Sequence, residues 1–199
     1  MLATFPEARI LVPSDWSPDG RLIVFTMWNQ SIGEIRALPL EGNRQPEVLV
    51  RSIPLAYGGR VSPDGHWLAY ASLETGSMDI YVQPFRGNGE RQQISNGGGV
   101  HPRWTADGRE IVYWAAPKGL AAVELTRAGA GFTVTASQTV LDVPILSLID
   151  SRTHWDMTRD GRRILIRRAA GTAQPSITVV VNWPQRLAHS DPASSPRKD

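Results

Sequence analysis

An all-β fold of the β-propeller class is what the sequence predicts, on three observations. One phrase occurs four times, as Asp15-Trp16-Ser17-Pro18-Asp19-Gly20-Arg21-Leu22-Ile23-Val24-Phe25, Arg60-Val61-Ser62-Pro63-Asp64-Gly65-His66-Trp67-Leu68-Ala69-Tyr70, Arg103-Trp104-Thr105-Ala106-Asp107-Gly108-Arg109-Glu110-Ile111-Val112-Tyr113 and Asp156-Met157-Thr158-Arg159-Asp160-Gly161-Arg162-Arg163-Ile164-Leu165-Ile166. Successive Asp-Gly pairs lie 45, 43 and 53 residues apart, close to the roughly 40–50 residues of a propeller blade. The run after each pair carries apolar residues on both faces, as a sheet sandwiched between two like sheets requires.

Each unit can be parsed in order. In Ser-Pro-Asp-Gly the proline presets φ for the first central position, the aspartate suits the second, and the glycine accepts the positive φ that follows; the result is a type I turn closing into a bulged hairpin. An innermost strand precedes each turn and a second strand follows it. Third strands are expected at Glu34 to Leu38, Asp79 to Pro84, Leu120 to Leu125 and Ser176 to Val181, and outermost strands at Pro46 to Val50, Arg91 to Ser95 and Thr139 to Val143. The extra length between Gly129 and Ser151 reads as a loop. No outermost strand follows the last unit, whereas Ala8 to Val12 has the length and β-branched content of one. It either shuts a closed four-bladed ring or belongs to an earlier blade, the four units then being part of a six- or seven-bladed propeller. The expected blades are about 13–52, 57–96, 100–143 and 151–183 within a segment 1–187, with 8–12 an outer strand and 188–199 a disordered, polar tail.

Composition narrows the function classes. The 199 residues include no cysteine, which rules out disulfides and thiolate chemistry, and the formal net charge is only +2. The one basic cluster, Arg159, Arg162, Arg163, Arg167 and Arg168, fits a solvated hairpin edge better than a nucleic-acid surface. Apolar runs such as Ile177 to Val181 fall far short of the ~18–20 residues of a membrane span. The first residues lack a secretory signal pattern, so a cytoplasmic location is expected of the chain as written.

The units resemble TolB-like, WD-type propeller repeats, whose signature is this Ser-Pro-Asp-Gly hairpin. They also resemble the propeller segment at the C-terminal end of certain bacterial eukaryotic-like serine/threonine kinases. Besides the turn phrases, that resemblance rests on Asp79-Ile80-Tyr81-Val82-Gln83-Pro84-Phe85, Gln93-Ile94-Ser95-Asn96-Gly97-Gly98-Gly99, Pro102-Arg103-Trp104 and Ile177-Thr178-Val179-Val180-Val181-Asn182-Trp183. It implies six or seven blades in all, missing blades supplied by further sequence or another chain, and, in a membrane-anchored kinase, display outside the cytoplasm. The kinase motifs themselves are absent from this sequence, and the third and fourth turns lack the proline.

No reactive constellation is visible. The four histidines stand in no metal pattern, and carboxylates at calcium-loop spacing are absent. A hydrolase of the prolyl oligopeptidase group, which carries a propeller, needs a Gly-x-Ser-x-Gly elbow that this chain lacks. The expectation is therefore no catalytic residue, no metal, no cofactor and no enzyme. Repeat position marks Trp16 and Trp104 as packing residues between blades. Trp28, Trp114 and Trp155 instead fall near the ends of strands, where aromatics anchor partners. A site is expected where connectors and loops meet above the central channel, with Trp28, Tyr57, Arg60, Glu74, His101, Arg103, His154 and Trp155 as candidates, Arg60 and Arg103 being equivalent positions pointing near the axis. The expected role is a non-catalytic scaffold or sensor binding a protein or peptide, with homo-oligomerisation an accompanying expectation. A carbohydrate- or small-ligand-binding propeller and the accessory propeller of a prolyl-oligopeptidase-like hydrolase are the alternatives.

Overall fold

The computed structural model describes residues 4–29, 32–52, 55–87, 89–115, 119–129, 131–142, 155–158, 160–168 and 176–181. All regular structure among them is β. In chain order the strands are β1 (Ile10–Trp16), β2 (Leu22–Asn29), β3 (Ile32–Pro39), β4 (Glu47–Ser52), β5 (Ala56–Val61), β6 (Trp67–Ser72), β7 (Asp79–Pro84), β8 (Gln92–Gln93), β9 (Val100–Trp104), β10 (Glu110–Ala115), β11 (Gly119–Ala128), β12 (Gly131–Leu141), β13 (Trp155–Met157), β14 (Arg163–Arg168) and β15 (Ser176–Val181). They form four antiparallel meanders, β1-β2-β3-β4, β5-β6-β7-β8, β9-β10-β11-β12 and β13-β14-β15. The chain divides into one compact unit spanning Met1–Ile149, which holds the first three sheets, and a second spanning Asp150–Asp199, which holds the three-stranded sheet.

The hairpin turns repeat atom for atom. In each, a hydroxyl at the first position (Ser17, Ser62, Thr105, Thr158) donates to the aspartate two residues on, at 2.5 to 2.7 Å, and accepts the backbone N–H that opens the next strand. The same aspartate accepts the N–H of the residue after the glycine. Gly20, Gly65, Gly108 and Gly161 take φ values of 69° to 76°, where a side chain is costly. Hydroxyl, aspartate and glycine therefore define the turn, and the proline of the first two units is dispensable.

Within the first unit the sheets stack through large apolar side chains. Val24, Ile35, Ala37 and Val50 of the first sheet close on Ala56, Val61, Leu68 and Tyr70 of the second. Gly59 makes this approach possible: a methyl placed there would stand 2.8 Å from Ile35 Cγ2 and 3.2 Å from Val24 Cγ1. The other face of the first sheet holds Phe25, Met27 and Leu38, with Phe5 and Ala8 packed over them.

Two expectations are corrected. Residues 8–12 are not an outer strand: Ile10 to Val12 are the leading half of β1, paired with Trp28, Met27 and Thr26, and Pro13 only introduces a register shift. The segment after Gly129 is not wholly a loop, because β11 and β12 form a long hairpin from Leu120↔Leu141 to Ala128↔Gly131. Thr133, Val134, Thr135, Thr139 and Val140 give β12 its β-branched content, which keeps the extended backbone going well past a normal strand length. The outermost strand of the second sheet is only Gln92–Gln93. Residues 143–154 and 182–199 lie outside the described residues.

Candidate functional site

The residues singled out from sequence separate into those that meet and those that do not. Tyr57 and His101 sit near the starts of β5 and β9, and Trp28 is near the end of β2, so antiparallel pairing brings all three to the same end of neighbouring sheets. Trp28 and Tyr57 meet edge-on with ring centroids 6.2 Å apart, and Tyr57 and His101 do so at 5.6 Å. A ladder of rings thus crosses three sheets. Tyr57 and His101 are only 8% and 7% exposed, so they form a floor from which the partly exposed Trp28 rises. Burial pushes the Tyr57 phenol well above its ordinary value, which leaves it a neutral hydroxyl at any physiological pH.

Local geometry explains why these rings converge. β1, β5 and the β9–β10 pairing all carry a register shift near the middle of the innermost strand. In the second sheet the shift centres on Gly58 with φ 72°, and in the third the same repeat position is His101, with φ 54°. A bulge re-aims the side chains on either side of it, and a non-glycine residue in left-handed backbone stores strain. Here the strained residue carries an imidazole onto Tyr57.

Charged residues follow beneath the ladder. Asp15 Oδ2 accepts the Val61 N–H at 2.7 Å, and Asp15 Oδ1 lies 3.6 Å from Arg60 Nη1, linking the first two innermost strands. Asp15 is not among the sequence candidates, although a signal for it exists, since Asp15, Arg60, Arg103 and Asp156 occupy one repeat position with both signs of charge. Arg103 turns its guanidinium to the carbonyl of its own neighbour Pro102, at 3.0 Å. Glu74 lies on the β6–β7 loop and pairs with Arg91 at 3.1 Å.

The tryptophans need a correction. Trp16 is 58% exposed and donates its indole N–H to Gly20 of its own hairpin, whereas its counterpart Trp104 donates to the Arg60 carbonyl of the preceding sheet at 3.0 Å. Trp114 and Trp155 are 5% and 3% exposed, so neither presents a surface to a partner. Trp155 belongs to the second unit, and His154 lies outside the described residues. Two clefts open between the second and third sheets. One, of about 610 Å³, has a lining of hydroxyls and amides from Thr75, Ser77, Gln93, Ser95, Asn96 and Ser137, with Tyr113 at its back. The other, of about 400 Å³, opens beside the hairpin turns.

No family model matches the chain. Two curated relatives do, each over about half of it. The Tricorn protease homolog 1 of Streptomyces coelicolor is 32% identical over 97 residues, covering 47% of this chain and 8% of the relative. The Tol-Pal system protein TolB of Anaeromyxobacter dehalogenans is 33% identical over 99 residues, covering 49% of this chain and 22% of the relative. The matched region therefore spans less than a quarter of either relative's length. Among solved structures, TolB from Acinetobacter baumannii superposes with a TM-score of 0.64 at 15% identity, over 87% of this chain and 41% of that one. A structure described in a study of two prolyl endopeptidases superposes at 0.52 and 15% identity, over 90% and 31%. These likenesses show the fold, a β-propeller built of antiparallel meanders.

Proposed function

We propose that this chain is a non-catalytic propeller segment that binds a protein or peptide at the end of the sheets where the Trp28–Tyr57–His101 ladder lies. That ladder carries the reading. A rigid indole that is partly exposed, Trp28, standing on the two buried rings of Tyr57 and His101, gives contact area at little entropic cost, and the three rings are anchored on three successive sheets, not on a mobile loop. The similarity to a protein named for the Tol-Pal system supports a protein partner. A sensor role at the C-terminal end of a receptor-like kinase is a narrower form of the same proposal, as is completion of the propeller by further blades or a second copy.

Two other readings draw on separate observations. The hydroxyl-lined cleft favours a carbohydrate or another small neutral ligand. The similarity to a protein named as a protease homolog supports an accessory propeller of a hydrolase.

The test is selection of peptides from a displayed library against the full chain, followed by Trp28→Ala and His101→Ala. Enriched peptides should lose at least tenfold in affinity with Trp28→Ala, the size expected of an aromatic anchor. Peptides that ignore Trp28, alongside oligosaccharides that bind and are lost with Ser137→Ala or Asn96→Ala, would move the function to the neighbouring cleft.

A further inference from the structure

The turn end of the second and third sheets carries its own constellation, at the opposite end of β5 and β6 from Tyr57. Its cleft is lined by Asp64, Trp67, Trp104, Glu124, Arg127 and Phe132, among others. Trp67 and Phe132 meet edge-on at 4.6 Å between centroids, and Trp104 stands 6.3 Å from Phe132. The back wall is fixed, because the Gln92 carboxamide accepts the Phe132 N–H at 3.0 Å and donates to the Phe132 carbonyl. Over this aromatic floor lies the Arg127 guanidinium, 5.9 Å from the Trp67 ring centroid and ion-paired to Asp64.

We propose that this cleft is a subsite for a cationic side chain, arginine or lysine, presented by an extended basic peptide, with Arg127 as its resident and displaceable occupant. An indole face beside a carboxylate is the arrangement that recognises a guanidinium, by cation–π attraction and charge-assisted hydrogen bonds. The chain's own Arg127 demonstrates the fit. It is also poised to leave, since its side chain is 60% exposed and exposed ion pairs hold weakly. Arg127 lies near the end of the β11–β12 hairpin, opposite Phe132, so its stem can swing to solvent without disturbing the wall. With it gone, Asp64, Asp107 and Glu124 face only Arg109 among the described residues that line the cleft. Exchanging one cation for another keeps the charge balance, which a neutral or acidic ligand would not do.

The probes are acetyl-Gly-Arg-Gly-amide and acetyl-Gly-Gln-Gly-amide, titrated against the full chain and followed by tryptophan fluorescence. The arginine peptide should bind about tenfold better than the glutamine peptide, and Arg127→Ala should tighten it by about tenfold more, the scale of one cation–π contact released from competition. Adding Asp64→Asn should erase the preference. Glu41→Gln, on the exposed loop between β3 and β4 of the first sheet, should leave both affinities unchanged. Equal binding of the two peptides, or no gain in an Arg127→Ala protein that melts like the parent, overturns the proposal. If the alanine variant melts early, Arg127→Gln, which keeps an aliphatic stem on Trp67, should show the same gain, and its failure to do so overturns the proposal equally.

Discussion

At His101 a single backbone angle sets local stability against the candidate site. A φ of 54° costs any side chain, and the repeat position in the second sheet is filled by Gly58 at 72°. The imidazole recovers part of that cost by its edge-on contact with Tyr57. Two substitutions separate the contributions. His101→Ala keeps the strain and loses the ring contact, so it should destabilise by about 1 kcal/mol. His101→Gly loses the contact but relieves the strain, and should stay within roughly 0.5 kcal/mol of the parent. Both should weaken a peptide that depends on Trp28. Urea unfolding read with the binding titration checks this; equal destabilisation by both variants would mean that the backbone angle stores nothing. The sequence shows the turn glycines directly and offers His101 as a candidate, but it hides the left-handed backbone of His101, because such a position is recognised by its glycine and here no glycine marks it. Only superposing the units, Gly58 on His101, exposes it.

Among the elements, the β10–β11 pair is the one whose charges work against it. Glu110 and Glu124 stand directly opposite across the two strands, and burial, then Asp107, then Glu124 push the Glu110 carboxyl above its usual range. The turn aspartates run the other way. Burial works to raise Asp64 and Asp107, yet the Ser62 or Thr105 hydroxyl, the following backbone N–H and nearby cations outweigh it and hold both below the usual carboxylate range. A lowered folded pKa gives stability that is present above the unfolded value and lost as pH falls through the folded one. A raised one does the opposite, imposing a penalty that grows as pH climbs from the unfolded value through the folded one. Glu110→Gln should therefore raise the melting temperature at pH 7 by about 1–2 °C, by removing a charge that burial, Asp107 and Glu124 together disfavour by roughly 0.5 kcal/mol. As pH falls toward about 3, where Glu110 is protonated in both states, the difference should vanish. Melting curves across pH 3–8 check it, and a gain that persists at pH 3 would assign the effect to packing. The same elements show which parts of the fold are legible in the sequence. Turns are written locally by hydroxyl, aspartate and glycine, so all four hairpins can be read. Where a strand begins or ends depends on its pairing partner, and so the lead of β1 and the length of β12 escape a local reading.

At the scale of the whole molecule, the unit spanning Met1–Ile149 shows what a propeller sheet needs on each face. Trp104 is anchored by a carbonyl of the sheet before it, and Asp15 by an amide of the sheet after its own. Trp16, at the repeat position of Trp104, bonds within its own hairpin, and it shares β1 with Ile10 and Leu11, which are 45% and 43% exposed. Phe5 and Ala8 pack over Phe25, Met27 and Leu38 on the first sheet without covering Trp16. Repeat periodicity marks Trp16 as core because periodicity records what a position does inside an array, while burial depends on a neighbour standing there. An apolar strand left in water favours association, but one strand supplies far less than the ~1,200 Å² of a standard interface. Self-association should therefore be weak, with a dissociation constant of roughly 10–100 μM. Sedimentation velocity over a concentration series should show the average mass rising, and Leu11→Thr with Trp16→Gln should return it to that of the monomer without lowering the melting temperature, since neither side chain is buried. A monomer at every concentration would show that β1 needs no partner. Association that survives the double substitution would place the contact on another surface.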